Sequence, residues 1–429
     1  MIELILVIHY SEIATKGKNR NLFENQLMDN IRNSMGKNVK VFKRYGKILC
    51  ESGEERKGKT ENELKNRKKE KTELNEKTKK KELKKENTKL TELNDEKQKK
   101  ELAEILKLIP GIANFSFAME AKLEIKDIEK KCIEILKGKE FNSFKVNASR
   151  SNKNFKLNSM ELNQKLGEHI INKLNKKVDL HSPELTVFIE VGEKEAFVYC
   201  EKFCGVGGLP VGSSGKVISS LSGGIDSPVA SFMMMKRGCK VVFAHVFNKS
   251  IEGKAVLSKI ESLVKELNKI QLNSKLYVIK FEEIQKELIA NIPSKYRMIA
   301  YRRAMMKLMN LIAEKEKAKA VVTGDNVGQV ASQTIENIQC IYEASKLPVL
   351  APLIGFNKEE IIELSKKIKT YGHSILPYPD CCSFMIAKHP ETKGRLIDLK
   401  KLEEGIPELN ELIEKAVKDA EIKIINETY

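Results

Sequence analysis

This sequence has no Cys-X-X-Cys pair and no membrane-spanning apolar run near its start. Each absence limits the class of protein to which the chain can belong. Its 8 cysteines include no Cys-X-X-Cys pair, so we interpret them as free, catalytic or metal-bound residues of a reducing compartment, not as a disulfide framework. The apolar run at residues 1–10 is too short to cross a membrane, and no basic segment precedes it. We therefore expect a cytoplasmic chain with no signal peptide and no membrane partner.

The charge of the chain is strongly unbalanced. Its 429 residues carry 77 Lys and Arg against 59 Asp and Glu, a formal net charge of +18 at pH 7. A chain of this length accommodates two or three domains. The positive surplus favours nucleic acid as a partner, although surface lysines that serve no partner give the same composition.

Residues 53–101 differ from the rest in composition. Lys, Glu, Asn and Thr dominate, the leucines are scattered, and residues 72–77 are nearly repeated at 91–97. So little apolar surface does not offset the entropy of ordering this segment. We predict a low-complexity surface insertion, with an electrostatic arm for RNA as the alternative.

The segments around this insertion predict a mixed α and β front half. They are a strand at 2–8, a helix ending near Met35, strands at 39–45 and 47–50, an apolar segment at 108–117 that leads into a strand, a helix at 127–136 capped by Asp127, a strand at 144–148, a helix at 160–174, and paired strands at 185–191 and 196–200. A basic loop at 149–155 carries Arg150 and Lys153.

From residue 217 onward, strands and helices alternate. We predict strands at 217–221, 241–247, 276–280, 320–323 and 349–350, helices at 228–237, 252–268, 282–290, 295–315 and 358–368, and terminal helices over 397–427. This alternation predicts an α/β fold, a doubly wound parallel sheet whose ligand lies at the carboxyl ends of the strands.

The turn after the first of these strands has the composition of a phosphate site. Residues 222–227 read Ser-Gly-Gly-Ile-Asp-Ser, and glycines beside a helix N-terminus suit an anion. Ser227 is placed to cap that helix, and Pro228 suits its first position. The Walker pattern is absent, since Pro210 and Val217 stand where its glycine and hydroxyl residue belong. The turn instead resembles the PP-loop of ATP pyrophosphatases, which cleave ATP between the α and β phosphates.

Asp226 places a negative charge in this turn, where negatively charged phosphates are expected to bind. A carboxylate suits that position when a cation lies between, so we assign Asp226 to Mg²⁺ held with ATP; helix capping is the alternative. Small and polar residues at 323–330 follow the fourth strand and suit a second wall of the site. Lys358 begins a helix, where a lysine gains nothing from the helix dipole, so we interpret it as a phosphate ligand.

Two further groups of residues remain. Arg297, Arg302 and Arg303 cluster on one predicted helix with Lys295 and Lys307 and suit phosphates of RNA or ATP, or a solvated face. Cys381 and Cys382 lie in a proline-rich loop. A reactive thiol is expected there, as a thiolate or persulfide carrier, and zinc is disfavoured because adjacent cysteines lack ligand spacing.

Taken together, these motifs resemble the tRNA 4-thiouridine synthetase family, also called tRNA sulfurtransferases. The resemblance covers nearly the whole chain outside 53–101. It rests on Glu-Ile-Ala-Thr-Lys-Gly-Lys-Asn-Arg at 12–20, Gly-Gly-Leu-Pro-Val-Gly at 207–212, the 222–227 turn, Gly-Gln-Val-Ala-Ser-Gln-Thr at 328–334, Lys358 and the Cys381–Cys382 loop.

The family implies a PP-loop domain of the adenine nucleotide α-hydrolase type, preceded by an α+β ferredoxin-like module and an RNA-binding THUMP domain. The expected division is 1–52 for the ferredoxin-like module (continuing at about 102–118), 53–101 for the insertion, 102–204 for the THUMP-like domain, 205–396 for the PP-loop domain and 397–429 for C-terminal helices.

The chemistry that this resemblance implies has two steps. ATP adenylates O4 of uridine 8 in tRNA and releases pyrophosphate, and a persulfide sulfur, supplied by a cysteine desulfurase or another donor, then displaces AMP. The alternatives are a related PP-loop enzyme of the 2-thiouridine type, a small-molecule PP-loop synthetase and a tRNA-binding protein without catalysis.

The resemblance also assigns residues. Expected catalytic residues are Asp226, Lys358, Cys381 and Cys382; expected ATP-binding residues are Leu221, Ser222, Gly223, Gly224, Ile225, Asp226, Ser227, His245, Val246, Phe247, Arg303, Gly324 and Gln333; expected tRNA-binding residues are Lys16, Arg20, Arg150, Lys153, Arg297 and Arg302.

Two departures from the family pattern concern sulfur. Some members carry a C-terminal rhodanese domain with the persulfide cysteine, for which we expect no room here, so a thiazole-biosynthesis role stays open. Related archaeal-type members use a Cys-X-X-Cys pair, in some on an iron–sulfur cluster, and this spacing is absent. The donor, cluster content, the resolving cysteine (Cys204, Cys340 or one of the 381–382 pair) and a homodimer are left open.

Overall fold

The computed structural model describes residues 4–36, 39–52, 96–248, 254–377 and 387–426. The chain divides into two compact units, Met1–Gly207 and Gly208–Thr428, and each is described by itself. Residues 53–95 of the predicted insertion and the cysteines at 381 and 382 lie outside the described residues. No described helix is both long enough and apolar enough to cross a bilayer.

The first unit is built on one mixed sheet. Its elements are β1 (Leu4–His9), α1 (Arg20–Met35), β2 (Val39–Arg44), β3 (Lys47–Ser52), α2 (Glu96–Lys107), β4 (Asn114–Lys122), α3 (Ile125–Leu136), β5 (Ser143–Arg150), α4 (Ser159–Leu174), β6 (Lys177–Val178), β7 (Leu185–Val191), β8 (Glu195–Tyr199) and β9 (Phe203–Cys204). Among the described residues, nine strands form the sheet in the order β2-β3-β1-β4-β8-β7-β5-β6, with β9 beside β4. The strands before and after residues 53–95 therefore share one sheet.

Helices bury their apolar faces on this sheet as two cores. Leu27 of α1 and Leu106 of α2 pack with Leu6 of β1. Ile128 and Cys132 of α3 pack in a second core with residues of α4, β5 and β7. Spacings of three and four residues place such side chains on one helix face.

Two boundaries correct the predictions for this unit. α2 begins at Glu96 and buries Leu102, so the end of the predicted 53–101 insertion belongs to a packed helix. α3 begins at Ile125, and Asp127 is not its cap. The Asp127 carboxylate instead accepts a hydrogen bond from the Lys122 amide at 2.7 Å, which joins the first helical turn to the end of β4.

The second unit alternates strands and helices. Its elements are β10 (Lys216–Ser220), α5 (Asp226–Lys236), β11 (Lys240–Phe247), α6 (Lys254–Gln271), β12 (Asn273–Lys280), α7 (Glu282–Asn291), α8 (Arg297–Glu316), β13 (Val321–Val322), α9 (Ile335–Glu343), β14 (Val349–Leu350), α10 (Lys358–Lys367), α11 (Tyr371–Ser374), α12 (Leu396–Glu404), α13 (Leu409–Lys418) and β15 (Glu421–Asn426).

The described strands of this unit form a sheet in the order β14-β13-β10-β11-β12-β15. From β10 the chain moves to β11 and β12 on one side and then returns to β13 and β14 on the other, and these pairs are parallel. The order reverses at β10, so a crevice is expected between the carboxyl ends of β10 and β13. The predicted doubly wound sheet is confirmed.

The end of this unit differs from the prediction of terminal helices. After α12 and α13, residues Glu421–Asn426 form a strand that pairs antiparallel with β12. The alternation of Ile422 and Ile424 with polar residues has the period of a strand, and both side chains are exposed at the sheet edge. The prediction also lacked α9, a short helix that buries Asn337, Cys340 and Ile341.

Candidate active site

The turn after β10 is held in shape by its own serine hydroxyls. Ser227 Oγ accepts a hydrogen bond from the Ser222 amide at 2.9 Å and lies 3.1 Å from Ser222 Oγ. α5 begins at Asp226, with Ile225 at the N-cap position and no side-chain cap. Ser227 is therefore not the predicted cap; its hydroxyl closes the loop. The first amides of a helix have no partner within the helix, so this start suits an anion.

A second loop passes so close to this turn that its backbone requires glycine. A Cβ atom on Gly324 would lie 2.8 Å from the Ser227 amide nitrogen and 3.0 Å from the Asp226 carbonyl carbon. Gly324 follows β13, which pairs with β10. The close approach brings residues 323–334 to the edge of the 222–227 loop.

The Asp226 carboxylate binds two side chains from distant parts of this unit. Lys358 Nζ donates to Oδ1 at 2.6 Å, and Gln329 Nε2 donates to Oδ2 at 3.0 Å. Lys358 is the first residue of α10, whose start is fixed by a capping box between Asn357 and Glu360. Two residues that the sequence assigned to catalysis therefore meet at the N-terminal ends of two helices.

A second and more deeply buried pair lies in the same region. Arg302 Nη2 donates to both carboxylate oxygens of Asp325 at 2.6 Å, and Tyr342 Oη donates to Oδ2 at 2.9 Å. Burial opposes ionisation of Asp325, but the charge and hydrogen bonds of Arg302 outweigh it and hold the pKa of this carboxyl below its ordinary value. Gln333 Nε2 donates to Asp325 Oδ1 at 3.1 Å. Asp325 thereby orients three side chains.

A pocket of about 580 Å³ lies at the carboxyl ends of β10 and β13, and its lining includes Asp226, Arg302, Asp325 and Gln333. Ser222 and Asp226 form part of its polar wall, and Met298, Ile299 and Met305 of α8 supply apolar surface. Its volume is that of a small-molecule site, which combines apolar surface with a few oriented polar groups.

Three predicted ATP-binding residues lie on β11, which pairs with β10 on the side opposite β13. His245, Val246 and Phe247 end β11 with buried side chains, and His245 Nδ1 lies 2.9 Å from the carbonyl oxygen of buried Leu221. None of these four residues lines the pocket beside β13. A ligand at the end of β11 would therefore meet backbone more than side chains.

Arg303 and Arg297 of α8 both make contacts within the second unit. Arg303 is 2% exposed, and its Nε donates to Glu403 at 2.7 Å while Nη1 lies 3.1 Å from Glu343. It therefore binds carboxylates of α9 and α12 and does not line the pocket; its assignment to ATP stays a prediction. Arg297 donates to the carbonyl oxygens of Ile289 and Ile292 at 2.8 and 2.9 Å and so closes the end of α7.

The predicted RNA-binding residues of the first unit have internal contacts. Arg20 donates to Glu24 at 2.8 Å and to Tyr10 Oη at 2.6 Å, and Lys16 lies over the ring of Phe23. Arg150 Nη1 donates to the carbonyl oxygens of Lys153 and Phe155 at 3.2 and 3.1 Å, so it shapes the loop that presents exposed Lys153.

The described cysteines differ in burial. Cys132 and Cys239 are buried, and burial raises the pKa of both thiols. Cys340 is also buried, and desolvation raises the pKa of its thiol. Cys204 is exposed. Of the two candidate resolving cysteines outside the 381–382 pair, Cys204 is the accessible one.

Sequence reasoning gave no individual role to Asp325, Gln329 or Tyr342. Asp325 and Gln329 lie within the 323–330 segment, which was predicted as a second wall of the site. The one local signal for Asp325 is that an acidic residue follows a strand and Gly324 directly. Tyr342 lies on the unpredicted α9, and nothing in the local pattern distinguishes it. Their roles depend on contacts between loops and helices that are far apart in sequence.

A glycine-rich turn at a helix start, at the switch point of a doubly wound sheet, defines a PP-loop nucleotide-binding unit. Family models agree along the chain. Residues 212–407 match the thiamine biosynthesis protein (ThiI) family, residues 123–201 match the THUMP domain and residues 5–66 match the ThiI ferredoxin-like domain.

Full-length relatives identify the family more closely. The chain is 37% identical to a probable tRNA sulfurtransferase of Thermoanaerobacter pseudethanolicus over 93% of this chain and 94% of that protein. It is 34% identical to the probable tRNA sulfurtransferase of Brevibacillus brevis over 98% and 96%. A crystal structure of a 4-thiouridine synthetase–RNA complex with bound ATP superposes with a TM-score of 0.82 at 31% identity, covering 99% of this chain and 100% of that one. The chain belongs to the tRNA sulfurtransferase family.

Proposed function

We propose that this enzyme transfers sulfur to uridine 8 of tRNA in an ATP-dependent reaction that yields 4-thiouridine. The observation that carries the proposal is the meeting of Asp226 and Lys358 at the 222–227 loop. The same chain also contains a THUMP domain. Because the substrate would be tRNA, we place the reaction in the cytoplasm.

The first step activates the uridine. O4 of the uracil attacks the α-phosphorus of ATP, and pyrophosphate leaves with the electrons of the broken P–O bond. Amides of residues 222–227 and the start of α5 would bind phosphate oxygens. Lys358 adds a positive charge at the same place, and such fixed charges stabilise the charge that develops on the leaving group.

Mg²⁺ fits the residues at this place. Magnesium in nucleotide sites is held by one or two carboxylates together with the phosphates, and Asp226 supplies one carboxylate at the loop. Among the described ranges, no group of three or more His, Cys, Asp or Glu side chains could hold a metal ion by protein ligands alone. When bound with ATP, the ion would neutralise phosphate charge.

The second step transfers sulfur. A persulfide on Cys381 or Cys382, loaded by a cysteine desulfurase or another donor, attacks C4 and displaces AMP. A second thiol then attacks the resulting disulfide, leaves 4-thiouridine and forms a protein disulfide. Exposed Cys204 and the second member of the 381–382 pair are our candidates for that thiol.

The first unit would bind the tRNA. Lys153, presented by the loop that Arg150 shapes, together with Lys16 and Arg20, would contact phosphates. The proposed division is a ferredoxin-like module, an insertion that ends before α2 at Glu96, a THUMP-like domain and a PP-loop domain.

Two measurements test the proposal. Purified enzyme should release pyrophosphate from ATP only when tRNA is present, and tRNA from a strain that lacks the gene should contain no 4-thiouridine. Loss of a 2-thiouridine instead would favour the related enzyme class. ATP binding without pyrophosphate release would favour a tRNA-binding protein.

A further inference from the structure

The chain that leads to the Cys381–Cys382 pair is hydrogen-bonded to the phosphate loop. Ser374, the last residue of α11, is buried, and its Oγ donates to the Gly224 carbonyl oxygen at 3.2 Å. Gly224 belongs to the 222–227 loop and lies 150 residues earlier in the chain. A buried hydroxyl that binds a remote loop fixes the distance between the two segments.

A buried lysine fixes the residues that follow. Lys259 Nζ on α6 donates to the carbonyl oxygens of Ser374 and Leu376 at 2.9 and 2.7 Å. Cys381 follows Leu376 by five residues, which span at most about 18 Å when fully extended. The chain itself therefore limits how far Cys381 lies from the 222–227 loop.

The chain that leaves the two cysteines is fixed at the pocket beside the same loop. Pro390 and Glu391 line this pocket, which Asp226 also lines. The Glu391 carbonyl oxygen accepts from Asn337 Nδ2 at 2.8 Å, and Asn337 Oδ1 accepts from the Gly394 amide at 3.0 Å. Asn337 is fully buried, and a Cβ atom on Gly394 would lie 2.8 Å from its Oδ1. The contact between α9 and this part of the chain is therefore closely packed.

We propose that Ser374 and Asn337 are positioning residues for sulfur transfer, because they hold the two ends of the 377–389 segment at the pocket where the uridine is activated. The inference rests on the proposed function, in which ATP activates O4 and a cysteine of this segment carries the sulfur. Neither side chain lines the pocket. Both residues therefore act on the approach of the persulfide and not on formation of the adenylate.

This role predicts a specific error when either end is loosened. Water reaches the adenylated uridine in place of the persulfide, and the products are AMP and unmodified uridine. Pyrophosphate is then released without a matching molecule of 4-thiouridine. The ratio of 4-thiouridine to pyrophosphate therefore measures the positioning of the segment, whereas a general loss of folded enzyme lowers both products together.

The test measures this ratio with a cysteine desulfurase as sulfur donor. Ser374→Ala removes the hydroxyl and keeps the backbone groups that Lys259 binds. We expect the ratio to fall about fivefold, the effect of one lost hydrogen bond, while tRNA-dependent pyrophosphate release changes less than about twofold. Asn337→Ala removes the bonds to Glu391 and Gly394 and should lower the ratio further, at a temperature below its own melting transition.

Ser365 provides a matched control. It is fully buried on α10, and its Oγ lies 3.0 Å from Thr370 Oγ1. Ser365→Ala likewise removes one buried hydroxyl, so it should lower the melting temperature about as much as Ser374→Ala does. The ratio of 4-thiouridine to pyrophosphate should stay at the wild-type value.

An unchanged ratio in Ser374→Ala would overturn the inference. Equal losses of both products would also overturn it and would assign Ser374 to the shape of the phosphate loop. The proposed function fails separately, if the wild type releases no pyrophosphate in the presence of tRNA or forms no 4-thiouridine.

Discussion

Lys358 Nζ lies 2.6 Å from the Asp226 carboxylate, although 132 residues separate the two in the chain. Each is the first residue of its helix, α10 and α5 respectively. The positive ends of two helix dipoles therefore converge beside one carboxylate. A site of this kind attracts phosphate, and a cation held with the phosphate competes with Lys358 for Asp226.

Replacing Asp226→Ala should leave the fold intact and abolish tRNA-dependent pyrophosphate release. The carboxylate that we assign to the magnesium of MgATP is lost, while Lys358 and the loop amides remain. Release of pyrophosphate is the measurement, and the melting temperature is the check on folding. Release at the wild-type rate would contradict the assignment of the 222–227 loop to ATP.

A largely buried carboxylate ties four strands of the first unit together. Glu190 of β7 accepts from Tyr199 Oη of β8 at 2.5 Å, lies 3.0 Å from His9 Nε2 of β1 and pairs with Lys47 of β3. Burial opposes its ionisation, but the charges and hydrogen bonds of His9 and Lys47 outweigh it, and the pKa of Glu190 is far below its ordinary value.

Because the folded pKa of Glu190 is depressed, its contribution to stability is present above the unfolded pKa of about 4.3 and is lost as pH falls toward the folded value. Glu190→Gln should lower stability at pH 7 by about 3 kcal/mol and flatten the loss of stability below about pH 4. Melting curves across this range measure both effects. Exposed Glu193 is the control, and an unchanged acid dependence in Glu190→Gln would contradict the role of the cluster.

Deleting residues 55–94 should leave the melting temperature and tRNA modification unchanged. The composition of this segment provides little apolar surface to pack. A longer deletion through residue 106 removes Leu102 and Leu106, which are buried in the first core. This deletion should destabilise the unit by several kcal/mol, because each large core side chain contributes about 2–5 kcal/mol. If the shorter deletion weakens tRNA binding several-fold at constant melting temperature, the segment is an RNA arm.

The sequence was informative where one short segment determines the structure. The strand, Gly-Gly turn and helix around Asp226 follow from local composition, and alternation alone predicts the parallel sheet. Contacts between remote segments were not predictable: Arg303 has the charge of a phosphate ligand, yet Glu403, 100 residues away, binds it. The edge strand β15 was not predictable for the same reason. It has six residues and follows two helices, so its alternation of apolar and polar residues is a weak signal. Its strand structure depends on pairing with the remote strand β12.

Lys259 should stabilise the second unit through hydrogen bonds to carbonyl groups. It is buried on α6, and its Nζ donates to the carbonyl oxygens of Ser374 and Leu376 at 2.9 and 2.7 Å. Ser374 Oγ in turn donates to the Gly224 carbonyl oxygen at 3.2 Å. Lys259→Met should lower the melting temperature by about 2–6 °C, because the carbonyl oxygens of Ser374 and Leu376 lose a donor. Lys265→Met, an exposed position on the same helix, is the control, and equal melting temperatures for the two variants would contradict this role.

Replacing both Cys381 and Cys382 with Ser should abolish thiolation and spare adenylation. A thiolate is the sulfur nucleophile, and a loop thiol is activated more easily than a buried one. Burial raises the pKa of Cys132, Cys239 and Cys340.

The assay follows 4-thiouridine with sulfide or a cysteine desulfurase as donor, alongside pyrophosphate release, which depends on Asp226 and Lys358. Single replacements separate the carrier from its neighbour, and we favour Cys381 as the carrier. Cys132→Ser and Cys239→Ser are matched controls, which should retain activity where folding is preserved. If the double variant still thiolates tRNA with the desulfurase, the persulfide lies elsewhere, and Cys204 is the next candidate because it is exposed while Cys340 is buried.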